Sequence, residues 1–184
     1  ETRPMRILAY CLLSNHWHMV LWPERDGDLG AFMQKLTITH ARNWQVDRRR
    51  VGYGHLYQGR YKSFPIEGDE HFYQVVRYVE RNPQRAKMVR RADDWRFSSL
   101  WRRVHGTAES RAILGEWPLR RPRSWLQYVN RPQNEAELKA IRRSVERGQP
   151  YGSEAWAHAT AARLGLESTF RPRGRPRKED RSRE

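Results

Sequence analysis

The chain of 184 residues holds a single cysteine, Cys11. That excludes an internal disulfide and any cysteine-based zinc site, and it suits a reducing compartment such as the cytoplasm. Long apolar runs are missing as well. The longest, Ile7 to Leu13, falls far short of the roughly 20 residues that span a bilayer. The start is charged and no apolar segment of signal-peptide type follows, so neither a membrane partner nor export is expected. Apolar residues make up only 38%, a thin share for a globular domain. Negative charge is scarce too: 21 Asp+Glu stand against 36 Lys+Arg, for a formal charge of +15. Such a chain is drawn to polyanions, nucleic acid first. What is abundant is aromatic. Eight Trp, eight Tyr and five Phe supply large apolar bodies for a core, which excludes wholesale disorder.

Arg6 to Leu13 and Trp17 to Trp22 are β-prone, predicting two strands in close succession or one long strand with a turn at Leu13 to Asn15. Leu29, Phe32, Met33, Leu36, His40 and Trp44 recur at helical spacing, and Arg48 to Arg50 close that helix where cations suit its dipole. Tyr57 to Ile66 is expected to be a loop followed by a strand. Asp69 is placed to cap a second helix whose apolar face holds Phe72, Val75, Val76 and Val79, stopped near Asn82 by Pro83. Asp94 to Trp101 predicts a short helix or turn, and further helices are expected over Glu135 to Arg147 and Ser153 to Leu164. These changes in composition divide the chain into three segments. Residues 1–106 are expected to form the main domain, 107–170 a helical Arg- and Trp-rich extension, and 171–184 a disordered basic tail.

The triplet His16-Trp17-His18 carries the most chemistry. On a strand, alternate residues share a face, so two imidazoles would stand together as nitrogen ligands for one cation while Trp17 turns inward. The same pattern equally describes a strand with one wet face. Tyr78 and Asn82, four residues apart, share a face of the second helix. Two readings stand here also: a half-buried tyrosine with an ordinary C-terminal Asn, or an amide oxygen offered to the histidines' cation beneath a phenol. Tyr73 is the competing phenol, about 140° away around the helix; both cannot face the histidines.

The run Cys11 to Leu21, Cys-Leu-Leu-Ser-Asn-His-Trp-His-Met-Val-Leu, resembles the His-hydrophobic-His motif of single-tyrosine transposases. Gly54 to Ser63 is similar to the loop and strand that follow in that family, Tyr78 to Ala86 resembles its catalytic-tyrosine helix, and Asp94 to Ser99 matches the segment beyond. Their order and spacing over about residues 5 to 105 look most like the REP-associated tyrosine transposases, a branch of the HUH endonucleases found beside repeated palindromes in bacteria. The resemblance implies an α+β, ferredoxin-like antiparallel sheet with helices on one face. Family members carry a first strand ahead of this point. The catalytic domain is therefore expected to be N-terminally incomplete here, with an N-terminal extension in the native gene and, without it, an unpaired sheet edge.

The resemblance further implies single-stranded DNA cleavage by transesterification, on hairpins or palindromic repeats. His16, His18 and Asn82 would hold a divalent metal, Mg²⁺ or Mn²⁺, with Mn²⁺ the better match to two nitrogens and an oxygen. Tyr78 would attack the scissile phosphate to give a 5′-phosphotyrosine and a free 3′-hydroxyl. Arg60, Lys62 and Arg85 are candidate phosphate contacts. Pro172 to Pro176 matches the core of an AT-hook, in which Gly174 lets the backbone reach the floor of a narrow A·T-rich groove and Arg173 and Arg175 extend along it. The protein is expected to act as a monomer or homodimer associated with the nucleoid. The rival readings are a non-catalytic DNA-binding descendant of a transposase and a replication- or conjugation-type nickase.

Overall fold

The structure is a computed structural model that describes residues 5–172. Its architecture is α+β. Strands β1 (Met5–Leu12) and β2 (Trp17–Pro23) form an antiparallel hairpin, closed where the Leu13 amide donates to the His16 carbonyl at 2.9 Å. Among the described residues eight α-helices follow: α1 (Asp28–Asp47), α2 (Glu70–Glu80), α3 (Asn82–Arg85), α4 (Ser99–His105), α5 (Ala108–Arg111), α6 (Trp125–Asn130), α7 (Glu135–Arg147) and α8 (Glu154–Leu164). Among the described residues, β1 and β2 are the whole of the sheet.

A two-stranded hairpin is marginal alone, and the chain covers it from several directions. Leu8 to Cys11 are all buried, so the middle of β1 has no wet face. Its outer edge is occupied by returning segments. Leu12 N donates to Phe97 O at 2.9 Å and Gly115 N to Ile7 O at 2.9 Å, while Arg103 and the Trp117 indole both donate to the Leu8 carbonyl, at 2.9 and 2.8 Å. Helix α2 then lies against the hairpin with Phe72, Val75, Val76 and Val79 buried. Asp69 caps it as expected, its side chain accepting from His71 N at 2.9 Å. The helix ends at Glu80, and Pro83 sits in the first turn of α3, where a missing N–H costs nothing.

Trp125, Val129, Leu138, Ile141 and Tyr151 join the core that the hairpin and α2 begin. Segments 5–106 and 107–170 therefore share apolar packing. Tyr73, Trp117, Trp125 and Tyr128 form a chain of ring contacts with centroids 4.9 to 6.3 Å apart. Here the abundant aromatics supply the volume that the low aliphatic content does not.

The expected strand within Tyr57 to Ile66 is not formed. Only Ile66 makes a bridge, parallel and to Tyr151: Tyr151 N donates to Pro65 O at 2.8 Å and Glu67 N to Tyr151 O at 2.9 Å. Pro65 lacks the donor a sheet ladder needs, and this stretch ties the loop between α7 and α8 to the N-terminal end of α2 instead. Helices α5 and α6 lie in the stretch that the sequence marks only by its prolines.

Candidate functional site

The hairpin turn delivers the two histidines differently. His16 is the last residue of the turn and exposed, whereas His18 is on β2 and half-buried. The turn still brings their rings together, with centroids 5.1 Å apart and planes at 87°. The Asn15 side-chain oxygen lies 2.7 Å from His16 Nδ1. With Nδ1 donating there, Nε2 is left as the free lone pair. Burial first, and then the charges of His16 and Arg85, push His18 down from 6.5 to about 4. His18 is thus a neutral imidazole at physiological pH, the form in which a histidine can ligate a metal.

Tyr78 stands next in line. Its ring is 5.7 Å from that of His18, edge-on at 75°, and the Arg85 guanidinium carbon lies 4.8 Å from the centre of the same ring. The residue is 7% exposed, but it is not sealed in. Tyr78, His18 and Lys62 line one cavity of about 160 Å³, with Leu29 and Met33 of α1 and the 61–64 segment completing its apolar walls. Asn82 is buried at 3% exposure, and its Nδ2 has no hydrogen-bond partner. His16, His18, Tyr78 and Arg85 therefore form a chain of contacts, and Lys62 lines the cavity with His18 and Tyr78. Arg60 is exposed on the loop. Arg173, Gly174 and Arg175, and with them the AT-hook match, lie outside the described residues.

The competing phenol is committed elsewhere. Tyr73 donates to the Arg120 carbonyl at 2.7 Å and packs on Phe72, Trp117 and Trp125. Its ring is part of the aromatic core on the far side of α2.

Two features escaped sequence reasoning. Glu80 is fully buried and accepts from the Ser99 hydroxyl at 2.6 Å and the Trp125 indole at 2.8 Å. Burial raises its carboxyl pKa against the pull of those two hydrogen bonds. Ser99 in turn accepts from Tyr10 N at 3.0 Å, so one carboxyl ties α2 to β1, α4 and α6. The second feature is the set Glu67, Asp69 and His71, whose ligand atoms all lie within 4.8 Å of one another and are able to hold a divalent cation. Their alternate spacing was visible in the sequence. Much of their bonding capacity is engaged, however: Asp69 accepts from His71 Nδ1 at 2.8 Å and Glu67 from Ser153 N at 2.6 Å.

With this geometry in place, known proteins sharpen the picture. Residues 1–82 match the family model of IS200-like transposases. The REP-associated tyrosine transposase of Escherichia coli (strain K12) is 28% identical over 106 residues, covering 55% of this chain and 58% of that protein. The chain thus spans little more than half the length of this curated relative. No solved structure matches it. Among the described residues no helix is long and apolar enough to cross a membrane. The matched segment contains the hairpin, both histidines, Tyr78 and Asn82, and over that segment the chain is similar to the IS200-like transposases.

Proposed function

We propose that the chain is a transposase: a metal-dependent endonuclease and strand transferase for single-stranded DNA, acting on hairpins through a 5′-phosphotyrosine at Tyr78. The observation that carries this reading is the line of contacts from His16 through His18 to Tyr78, which places the phenol beside the imidazole pair.

The donor set suits a divalent cation. His16 is oriented by Asn15 with Nε2 free, His18 is held neutral, and Asn82 offers a buried amide whose bonding is incomplete. A cation held by these residues would polarise the scissile phosphate and offset charge on its oxygens. The remaining work belongs to the chain itself. Helix α2, fixed by its buried contacts, holds Tyr78 in the lining of the cavity, and Lys62, in the same lining, supplies a positive charge to the backbone of the bound strand. The Tyr78 oxygen–phosphorus bond forms as the bond to the 3′ oxygen breaks. The phenol proton passes to solvent and the departing 3′ oxygen takes one up. One phosphodiester replaces another, so the strand can be rejoined to a new 3′-hydroxyl without a nucleotide cofactor.

Covalent trapping on an end-labelled hairpin oligonucleotide, with and without Mn²⁺, tests the proposal. The wild-type chain should form a metal-dependent adduct, and Tyr78→Phe should bind the same DNA without forming one. An adduct that survives in Tyr78→Phe refutes the assignment. DNA binding by the wild type with no adduct at all would leave the non-catalytic reading in its place.

A further inference from the structure

Three arginines follow one another at four-residue spacing along α2 and α3, and they are treated unequally. Arg77 donates to the carbonyls of Arg131 and Pro132 at 2.7 and 2.8 Å, lies 4.2 Å over the Tyr128 ring and approaches Glu137. Arg81 donates to the Arg131 carbonyl at 2.9 Å and to Gln84. Arg85 has no such anchor. Its Nε is buried without a hydrogen-bond partner, and its guanidinium lies over the Tyr78 ring.

Buried unpaired donors are rare and ask for an explanation. Arg77 and Arg103 also carry an unpaired Nε, but in both the terminal nitrogens of the same guanidinium are bonded to carbonyls. Arg85 differs: among the described residues its guanidinium makes no hydrogen bond and no ion pair. A second orphan lies three residues before it, the Nδ2 of Asn82. Two buried donors without acceptors, one of them cationic, beside a phenol that lines a cavity are the makings of an anion site. Charge-assisted donors aimed where negative charge builds are worth most in such a water-poor place.

We propose that Arg85 is a catalytic residue whose guanidinium grips a non-bridging oxygen of the scissile phosphate, with Asn82 Nδ2 as the second donor. The inference rests on Tyr78 being the nucleophile. It assigns to the chain itself part of the transition-state charge stabilisation, in addition to whatever a cation contributes. The planar fork of arginine suits a phosphate better than a lysine ammonium would. The competing role is purely mechanical, with Arg85 holding the Tyr78 ring in place by packing.

Single-turnover adduct formation on the labelled hairpin, with divalent metal and saturating DNA, separates these roles. Wild type and Tyr78→Phe first establish that the adduct is made and is made by Tyr78; if the wild type makes none, the parent reading falls and Arg85 with it. Arg85→Ala should then slow adduct formation on the order of 10²- to 10³-fold, while affinity for the same oligonucleotide drops less than about tenfold. Added guanidinium ions should speed the alanine variant and leave the wild type unchanged, because a soluble cation restores charge and not packing. Arg85→Met, which keeps the apolar stem, should be as slow as Arg85→Ala despite a native fold. A rate in Arg85→Met close to wild type, or a loss in Arg85→Ala that guanidinium does not relieve, would overturn the proposal.

Discussion

Tyr78 and Glu80 are two residues apart on α2 and both are buried, yet their surroundings are built on opposite principles. Around Glu80 the polar groups are closed upon one another: carboxyl to Ser99 and Trp125, and Ser99 on to the β1 backbone. Around Tyr78 they are left open. His16 keeps a free ring nitrogen, and Asn82 and Arg85 keep donors without acceptors. A closed polar network fixes a helix, since every member is costly to move; an open one invites a ligand. The helix is thus anchored on its back so that its front can stay unfinished.

The largest effect should come from breaking the closed side. Glu80→Ala orphans the Ser99 hydroxyl and the Trp125 indole in a dry core and should destabilise the chain by about 3–5 kcal/mol. In urea or thermal denaturation, Glu80→Gln should lose distinctly less, because an amide still accepts one of the two bonds. Tyr78→Phe, on the open side, should stay within about 1 kcal/mol of wild type. Equal losses in Glu80→Ala and Tyr78→Phe would erase the distinction between the two faces.

A smaller effect concerns pH. His18 in the folded chain sits at about 4 against an ordinary 6.5. The unfolded chain therefore binds the extra proton more readily in that window. The stability tied to neutral His18 is complete above pH 6.5 and is lost as pH falls from there toward 4. Titrating stability from pH 7.5 to 4 should show this loss in the wild type and a flatter profile in His18→Gln. An unchanged slope in the variant would mean that His18 is not held neutral by its surroundings.

The smallest effect separates the two phenols. Tyr73→Phe removes one hydrogen bond to the Arg120 carbonyl and should cost about 1 kcal/mol. Adduct formation by Tyr73→Phe should match the wild type at saturating DNA. A large loss of adduct with intact stability would move the nucleophile to the wrong side of the helix.

The open face was legible in the sequence, and the closed one was not. The His-Trp-His triplet, the Tyr78–Asn82 spacing, the Asp69 cap and the stop at Pro83 rest on local chemistry, and short-range rules reach them. Helix α7 likewise carries its signals within itself, with Asn134 capping it and Gly148 ending it in the left-handed region. Nothing in the sequence singles out Glu80, because apolar periodicity marks one side of a helix and α2 is buried on more than one. Its partners arrive from 19 and 45 residues away. The missing strand before Ile66 has the same origin: β-prone side chains are present, but Pro65 and Tyr151 pair this backbone with the α7–α8 loop.

The central claim is that Tyr78 is the residue to which DNA becomes joined. The most direct measurement is mass spectrometry of the protease-digested wild-type chain after reaction with a hairpin oligonucleotide and Mn²⁺. The expected result is a nucleotide mass on the peptide containing Tyr78, joined through a 5′-phosphate and dependent on metal. A modified Tyr73, a different modified residue, or cleaved DNA with no nucleotide on any peptide would contradict it.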